Sequence, residues 1–285
     1  MKESKNSFKL LMLASLVTLL IGLIPQSRLI LYPFNLFVTY VHETCHALAG
    51  LLTLGSVQGM TINPDTSGVT LVAGGIAVVT FSAGYLGSAL FGALLLILSY
   101  KGEMSNKILA ALAVGVLFVT VFFIGVGYTS FLLTLLLSAI GLALFAKPNL
   151  PNSLKAGLSA ADIGTFFTLI AFLAITNNLF GWIAGLTLAT VLFLAAKFLP
   201  STAAQFALSF LAIQSCLNAL SDIKTLWFLA ASSATHSDAQ GMASITGIPA
   251  IFWATLWGVV SLAILGIALF VYHRAIKTGK ILPTK

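Results

Sequence analysis

Apolar stretches long enough to cross a bilayer follow one another along almost the whole chain, and this limits what it can fold into. They run 8–24, 29–54, 71–99, 107–124, 128–146, 160–176, 180–198, 202–223 and 250–272. Polar or turn-forming breaks separate them at Pro25, Lys101-Gly102-Glu103, Gly125-Val126-Gly127, Lys147-Pro148-Asn149, Asn177-Asn178 and Pro200-Ser201. In hydrocarbon every backbone N–H and C=O needs an internal partner, so repeated stretches of this length read as helices. Only 7% of the 285 residues are charged, against about 25% in soluble domains. The expected fold is all-α: a polytopic transmembrane bundle of eight or nine spans. It forms a single domain over 1–285, with no soluble domain attached. The count depends on 160–198, which fits either a hairpin or one tilted span with a re-entrant piece.

The net charge of +7 does not point to nucleic acid, because the basic residues lie in short loops and at the ends. Lys101, Lys107, Lys147, Lys155, Lys197, Arg274, Lys277, Lys280 and Lys285 fall on one common side if each stretch crosses once. The positive-inside rule makes that side cytoplasmic. Lys2, Lys5 and Lys9 then fall on the other side, so one span is miscounted or the first does not cross. The basic start and apolar run from Phe8 resemble a signal peptide, but no small-x-small site follows and an uncleaved anchor is expected. Cys45 and Cys216 both sit inside apolar stretches and read as packing thiols.

Within the second stretch lies His42-Glu43-Thr44-Cys45-His46. Residues i and i+4 share a helix face, so both imidazoles can reach one metal ion. Zinc favours such nitrogen ligands, and a catalytic zinc keeps one position open for water. Glu43, beside the first histidine, is placed to take a proton from that water. Three titratable side chains on adjacent turns are costly in an apolar helix and mark a functional site.

Two loops stand out. Gly55–Thr70 carries β-type runs at Val57–Ile62 and Val69–Val72 around the turn residues Asn63-Pro64-Asp65 and Ser67-Gly68. A hairpin is expected there, either as a plain connection or as an edge that pairs with an extended peptide. In Ala231–Pro249, Ser237 or Asp238 can cap a short helix ending at Ile245 or Thr246, with Gly247 stopping it. Two histidines and a water leave one zinc position to fill. Among the seven acids, Asp222, which shares a face with Asn218, and Asp238 both remain as candidates. His236 is a weaker one.

The chain resembles the site-2-protease family of intramembrane zinc metalloproteases, most closely its compact bacterial and chloroplast-type branch without PDZ domains. The resemblance rests on His42-Glu43-Thr44-Cys45-His46-Ala47-Leu48-Ala49, then Asp65-Thr66-Ser67-Gly68 and Gly84-Tyr85-Leu86-Gly87. It continues with Ser237-Asp238-Ala239, Thr246-Gly247-Ile248-Pro249 and Trp253. It implies a zinc ion held by His42, His46 and, by position, Asp238 ahead of Asp222, with Glu43 as general base. The Asn-Pro…Leu-Asp-Gly motif of better-studied members is missing. Gly84, Gly87 and Gly92 are expected only to let helices approach closely.

The resemblance also implies cleavage of a transmembrane or membrane-anchored protein substrate by a multi-pass protein of a bacterial cell membrane. Asn218 is a candidate donor to the oxyanion. Ser232, Ser233, Thr235 and His236 are candidates to line the water entry. Two other readings stand beside it. A transporter or channel could use the same His/Glu/Asp centre as a proton relay, although no internal repeat is evident. A silent pseudoprotease could bind such clients without cutting them.

Overall fold

The structure is a computed structural model that describes residues 2–124, 178–232 and 237–278, with backbone alone at 2–5 and 221–232. Helices α1 (Lys2–Gly22) and α2 (Ser27–Leu52) lead into strands β1 (Ser56–Ile62) and β2 (Gly68–Ala73). Helix α3 (Ala77–Leu98), a 3-10 turn at Gly102–Met104 and α4 (Ser105–Phe123) follow. After the undescribed stretch come α5 (Leu179–Phe198), α6 (Ser201–Ser232), α7 (Asp238–Thr246) and α8 (Ala250–Thr278).

The helical fold and the hairpin agree with the sequence, while several boundaries do not. The expected span 71–99 begins as a strand: Leu71, Val72 and Ala73 belong to β2, and the helix starts at Ala77. A short apolar run rich in β-branched residues carries no period that separates strand from helix. Helix α6 continues past 223 to Ser232, and α8 continues past 272 to Thr278. Among the described residues five helices are long and apolar enough to cross a membrane, so the expected eight or nine are not reached there. The stretches 128–146 and 160–176 lie outside the described residues. The stretches 8–24 and 29–54 form α1 and α2, and neither is among the five. The apolar part of α1, Asn6–Gly22, is shorter than the others.

A buried polar knot ties four helix ends together. Ser7 Oγ donates to the Tyr100 carbonyl at 2.8 Å, and Gln205 Nε2 donates to Ser7 Oγ and to the Ser99 carbonyl, both at 2.9 Å. Tyr272 donates to the Ser7 carbonyl at 3.1 Å, and Tyr100 to that of Ala275 at 3.0 Å. Away from water such bonds are hard to exchange, and a satisfied network fixes register. The start of α1 therefore lies with the ends of α3 and α8. Lys9, within one turn of Ser7, lies toward the end of the bundle that carries Lys101, Arg274 and Lys277, as the alternative of a miscounted or non-crossing first span requires. With the start of α1 beside the end of α3, the helices α1, α2 and α3 do not fit three single crossings.

Along its middle, α3 is wedged against α2 and α6 with little side chain between backbones. A Cβ on Gly87 would sit 2.5 Å from Cys45 Sγ, and one on Gly92 would sit 3.0 Å from Cys216 Sγ. Many outward residues of α8 are large and apolar, Phe252, Val259, Leu262, Ile267 and Phe270 among them. A protein in water buries such side chains, whereas a bilayer solvates them.

A candidate metal centre

The hairpin is bound to α2 along its length. Antiparallel pairing runs from Ser56–Ala73 to Ile62–Gly68, with a bulge at Gln58. Thr39 Oγ1 donates to the Thr66 carbonyl at 2.6 Å, and the Tyr32 hydroxyl donates to the Pro64 carbonyl at 2.7 Å. Both contacts hold the turn 63–67 against α2, with Thr66 itself at φ 70°. Asp65 Oδ1 accepts from the Ser67 amide at 3.0 Å and from its hydroxyl at 2.6 Å, closing the turn.

This arrangement delivers two groups to Glu43. Thr70 Oγ1, on β2, donates to Glu43 Oε2 at 2.7 Å. Gly68 lies so near that a Cβ there would sit 2.7 Å from Glu43 Cγ and Oε1. Glu43 is only 4% exposed. Outside the helix, Thr70 is its hydrogen-bond partner among the described residues, and that bond uses Oε2 rather than Oε1.

The two histidines project from α2 toward the start of α3. His46 Nδ1 donates to the Thr80 carbonyl at 2.7 Å. A carbonyl can only accept, so this bond fixes the ring and turns Nε2 inward. The two Nε2 atoms stand 3.0 Å apart. A Cβ on Gly84 would overlap both of them. Gly84, expected only to aid packing, therefore makes room for both imidazoles.

The third group arrives from α7. Ser237 caps that helix, its hydroxyl accepting from the Gln240 amide at 3.4 Å, and Gly247 ends it at φ 72°. Asp238 is the first helical residue. Its Oδ2 lies 3.4 Å from His42 Nε2 and 3.2 Å from His46 Nε2. Burial opposes charge on Asp238, yet hydrogen bonds from His42 and His46 hold its carboxyl below the usual range.

Three atoms around a tetrahedral zinc, each at about 2.0–2.1 Å, stand about 3.3–3.4 Å apart. The observed separations of 3.0, 3.2 and 3.4 Å come within about 0.4 Å of such a face. The donor set of two imidazoles and a carboxylate suits zinc. His42, His46 and Asp238 could thus hold one metal ion.

Other sequence candidates are placed elsewhere or not described. Asn218 donates to Asn35 Oδ1 at 2.9 Å, which commits its amide to α2. Asp222 lies on α6 where only the backbone is described, and Ser233, Thr235 and His236 lie outside the described residues. Cys45 packs on Gly87 and lines an apolar cavity of about 250 Å³ between α2, α3 and α4, on another side of the helix from the imidazoles. Sequence reasoning passed over Thr70 and the Thr80 carbonyl. Thr70 is an ordinary strand residue until the hairpin is docked, and a backbone carbonyl leaves no mark in a sequence.

Comparison with known proteins places this geometry. No curated protein and no solved structure matched the chain. The sequence model for Peptidase M50B-like proteins matches residues 12–156 and 150–268. These stretches take in both histidines, the hairpin, the start of α3 and Asp238. With the match reaching from α1 into α8, the chain belongs to the Peptidase M50B-like family, within the site-2-protease group of intramembrane metalloproteases.

Proposed function

We propose that this chain is an intramembrane zinc endopeptidase in which His42, His46 and Asp238 hold the metal and Glu43 moves the proton. The observation that carries this reading is the convergence of three ligand atoms from two distant segments at tetrahedral spacing. Membership in a family of zinc-dependent membrane metallopeptidases supports it at the coarser level and speaks against a transporter.

Zinc bound there would acidify a water molecule and polarise a peptide carbonyl. Glu43 takes the proton of the attacking water at Oε1 and returns it to the departing amine nitrogen. Thr70 holds Oε2, so the carboxylate does not rotate away. The Thr80 carbonyl orients the His46 imidazole. The substrate is a membrane-embedded or membrane-anchored protein whose scissile segment must leave its helical form. On this reading β2 receives it as an extended strand. The outer edge of β1 is already taken: Asn178 bonds both the amide and the carbonyl of Ile62, at 3.1 and 3.0 Å, and Met60 bridges to Ile124. Beside β2, by contrast, no third strand stands among the described residues. Its side chains Val69 and Leu71 face outward, and its Thr70 reaches Glu43.

The test measures metal content and cleavage of a transmembrane reporter in the purified chain. The reading expects about one zinc per chain in the wild type and its loss in His46→Ala and Asp238→Ala. Glu43→Gln should keep the metal and lose cleavage. A folded wild type without metal, or a Glu43→Gln variant that still cuts, would overturn it.

A further inference from the structure

His46 is oriented by a hydrogen bond to a backbone carbonyl, whereas His42 has no such bond to its Nδ1 among the described residues. Aromatic rings stand against it instead. The Tyr85 ring meets His42 edge to face, with centroids 4.8 Å apart and planes at 89°. Behind it Trp257 stacks on Tyr85 at 5.3 Å and 13°. Trp257 is 1% exposed, and its indole nitrogen donates to Ser82 Oγ at 3.2 Å. The imidazole, phenol and indole thus form one file anchored in α3 and α8.

The same rings seat the helix that carries Asp238. A small core separate from the main one contains Ala239, Met242, Ala254 and Trp257, with Phe81 and Tyr85 packed against it. A Cβ on Gly241 would sit 2.5 Å from Phe81, so α7 lies directly on α3. Deformation of this core therefore moves both His42 and the backbone next to Asp238.

We infer that Tyr85, backed by Trp257, is a positioning residue for the metal centre, setting the ring plane of His42 relative to Asp238. Edge-to-face aromatic contacts contribute about 0.5–1.5 kcal/mol each beyond area burial, enough to select one ring orientation. Outer groups that orient a ligating histidine are commonly worth 10–100-fold in metal affinity. The inference rests on the zinc reading above.

The test compares zinc affinity, by competition with a chelator, and the absorption spectrum of the cobalt-substituted full chain in detergent. Tyr85→Phe keeps the ring and should bind zinc more tightly than Tyr85→Leu. Tyr85→Leu should bind about 10-fold or more weakly and shift the cobalt bands, a change that a general loss of stability would not produce. Trp257→Leu removes only the backing ring and should act in the same direction; it decides the matter if Tyr85→Leu does not fold. A wild type that binds metal beside a folded leucine variant with unchanged affinity and spectrum overturns this inference alone. A wild type that binds none overturns the zinc reading and the inference with it.

Discussion

Thr70 Oγ1 lies 2.7 Å from Glu43 Oε2 and 3.1 Å from the Glu43 carbonyl, so one hydroxyl on the hairpin addresses both ends of the residue proposed as general base. A hydroxyl carries a single proton and shares it between the two. Thr70→Val preserves shape and removes the donor, leaving a buried carboxylate without that bond. Hydrogen bonds to charged groups are worth about 1.5–3 kcal/mol, or roughly 10–100-fold. Cleavage should fall by that factor in kcat with zinc content unchanged, and Thr70→Ser should recover most of it. Unchanged kcat in the valine variant would show that the hairpin does not orient Glu43.

Gly84 offers a test in which helix propensity and site geometry pull in opposite directions. Alanine is better than glycine inside a helix by about 0.5–1 kcal/mol, so on propensity alone Gly84→Ala should stabilise α3. Its Cβ, however, would overlap Nε2 of both histidines. The rings must swing apart, and their convergence is lost. We expect zinc to be lost while helical content by circular dichroism stays at the wild-type level. Full zinc occupancy in this variant would mean that the imidazoles approach the metal from another side.

The sequence carried much of this site because its parts are local. His42, Glu43 and His46 lie within one turn and a half, and periodicity alone puts the two histidines on one face. The cap at Ser237 and the stop at Gly247 use backbone chemistry that glycine and serine signal directly. The partners of these groups were not legible. Asp238 meets His42 only through tertiary packing, which is why Asp222 stood beside it as a candidate. Thr70, Gly84 and Tyr85 acquire their roles from the docking of β2 and α3 on α2. The apolar continuity that reveals membrane helices also hid the boundary between β2 and α3, and only the side on which Lys2, Lys5 and Lys9 fell signalled that the first spans were miscounted.

The turn beneath the hairpin has a pH limit of its own. The Ser67 amide and hydroxyl bond to Asp65 hold its carboxyl below the ordinary aspartate range. A depressed value means the charged form is favoured in the folded turn. That contribution is fully present above the unfolded value of about 3.9 and is lost as pH falls through the lower folded value. Hydrogen-exchange protection of residues 63–67, relative to the intrinsic rate at each pH, should stay level from neutral pH to about 5 and decline only in stronger acid. Asp65→Asn should weaken protection at neutral pH and abolish the acid decline. A decline near pH 6 would assign the transition to another group.

Metal removal should separate ligand roles from packing roles. A ligand that binds only the folded chain adds RT ln(1 + [L]/Kd), about 2.7 kcal/mol at a hundredfold excess over Kd. Adding chelator to the zinc-loaded wild type should therefore lower its unfolding temperature. Asp238→Ala should have the lower temperature from the start and respond little to chelator, because its metal is already absent. Asp222→Ala is the informative partner. If Asp238 supplies the third ligand, this variant keeps the full chelator response, whatever its own stability. If instead the response disappears in Asp222→Ala and persists in Asp238→Ala, the carboxylate 3.2 Å from His46 is a hydrogen-bonding neighbour of the site, and the metal is completed from α6.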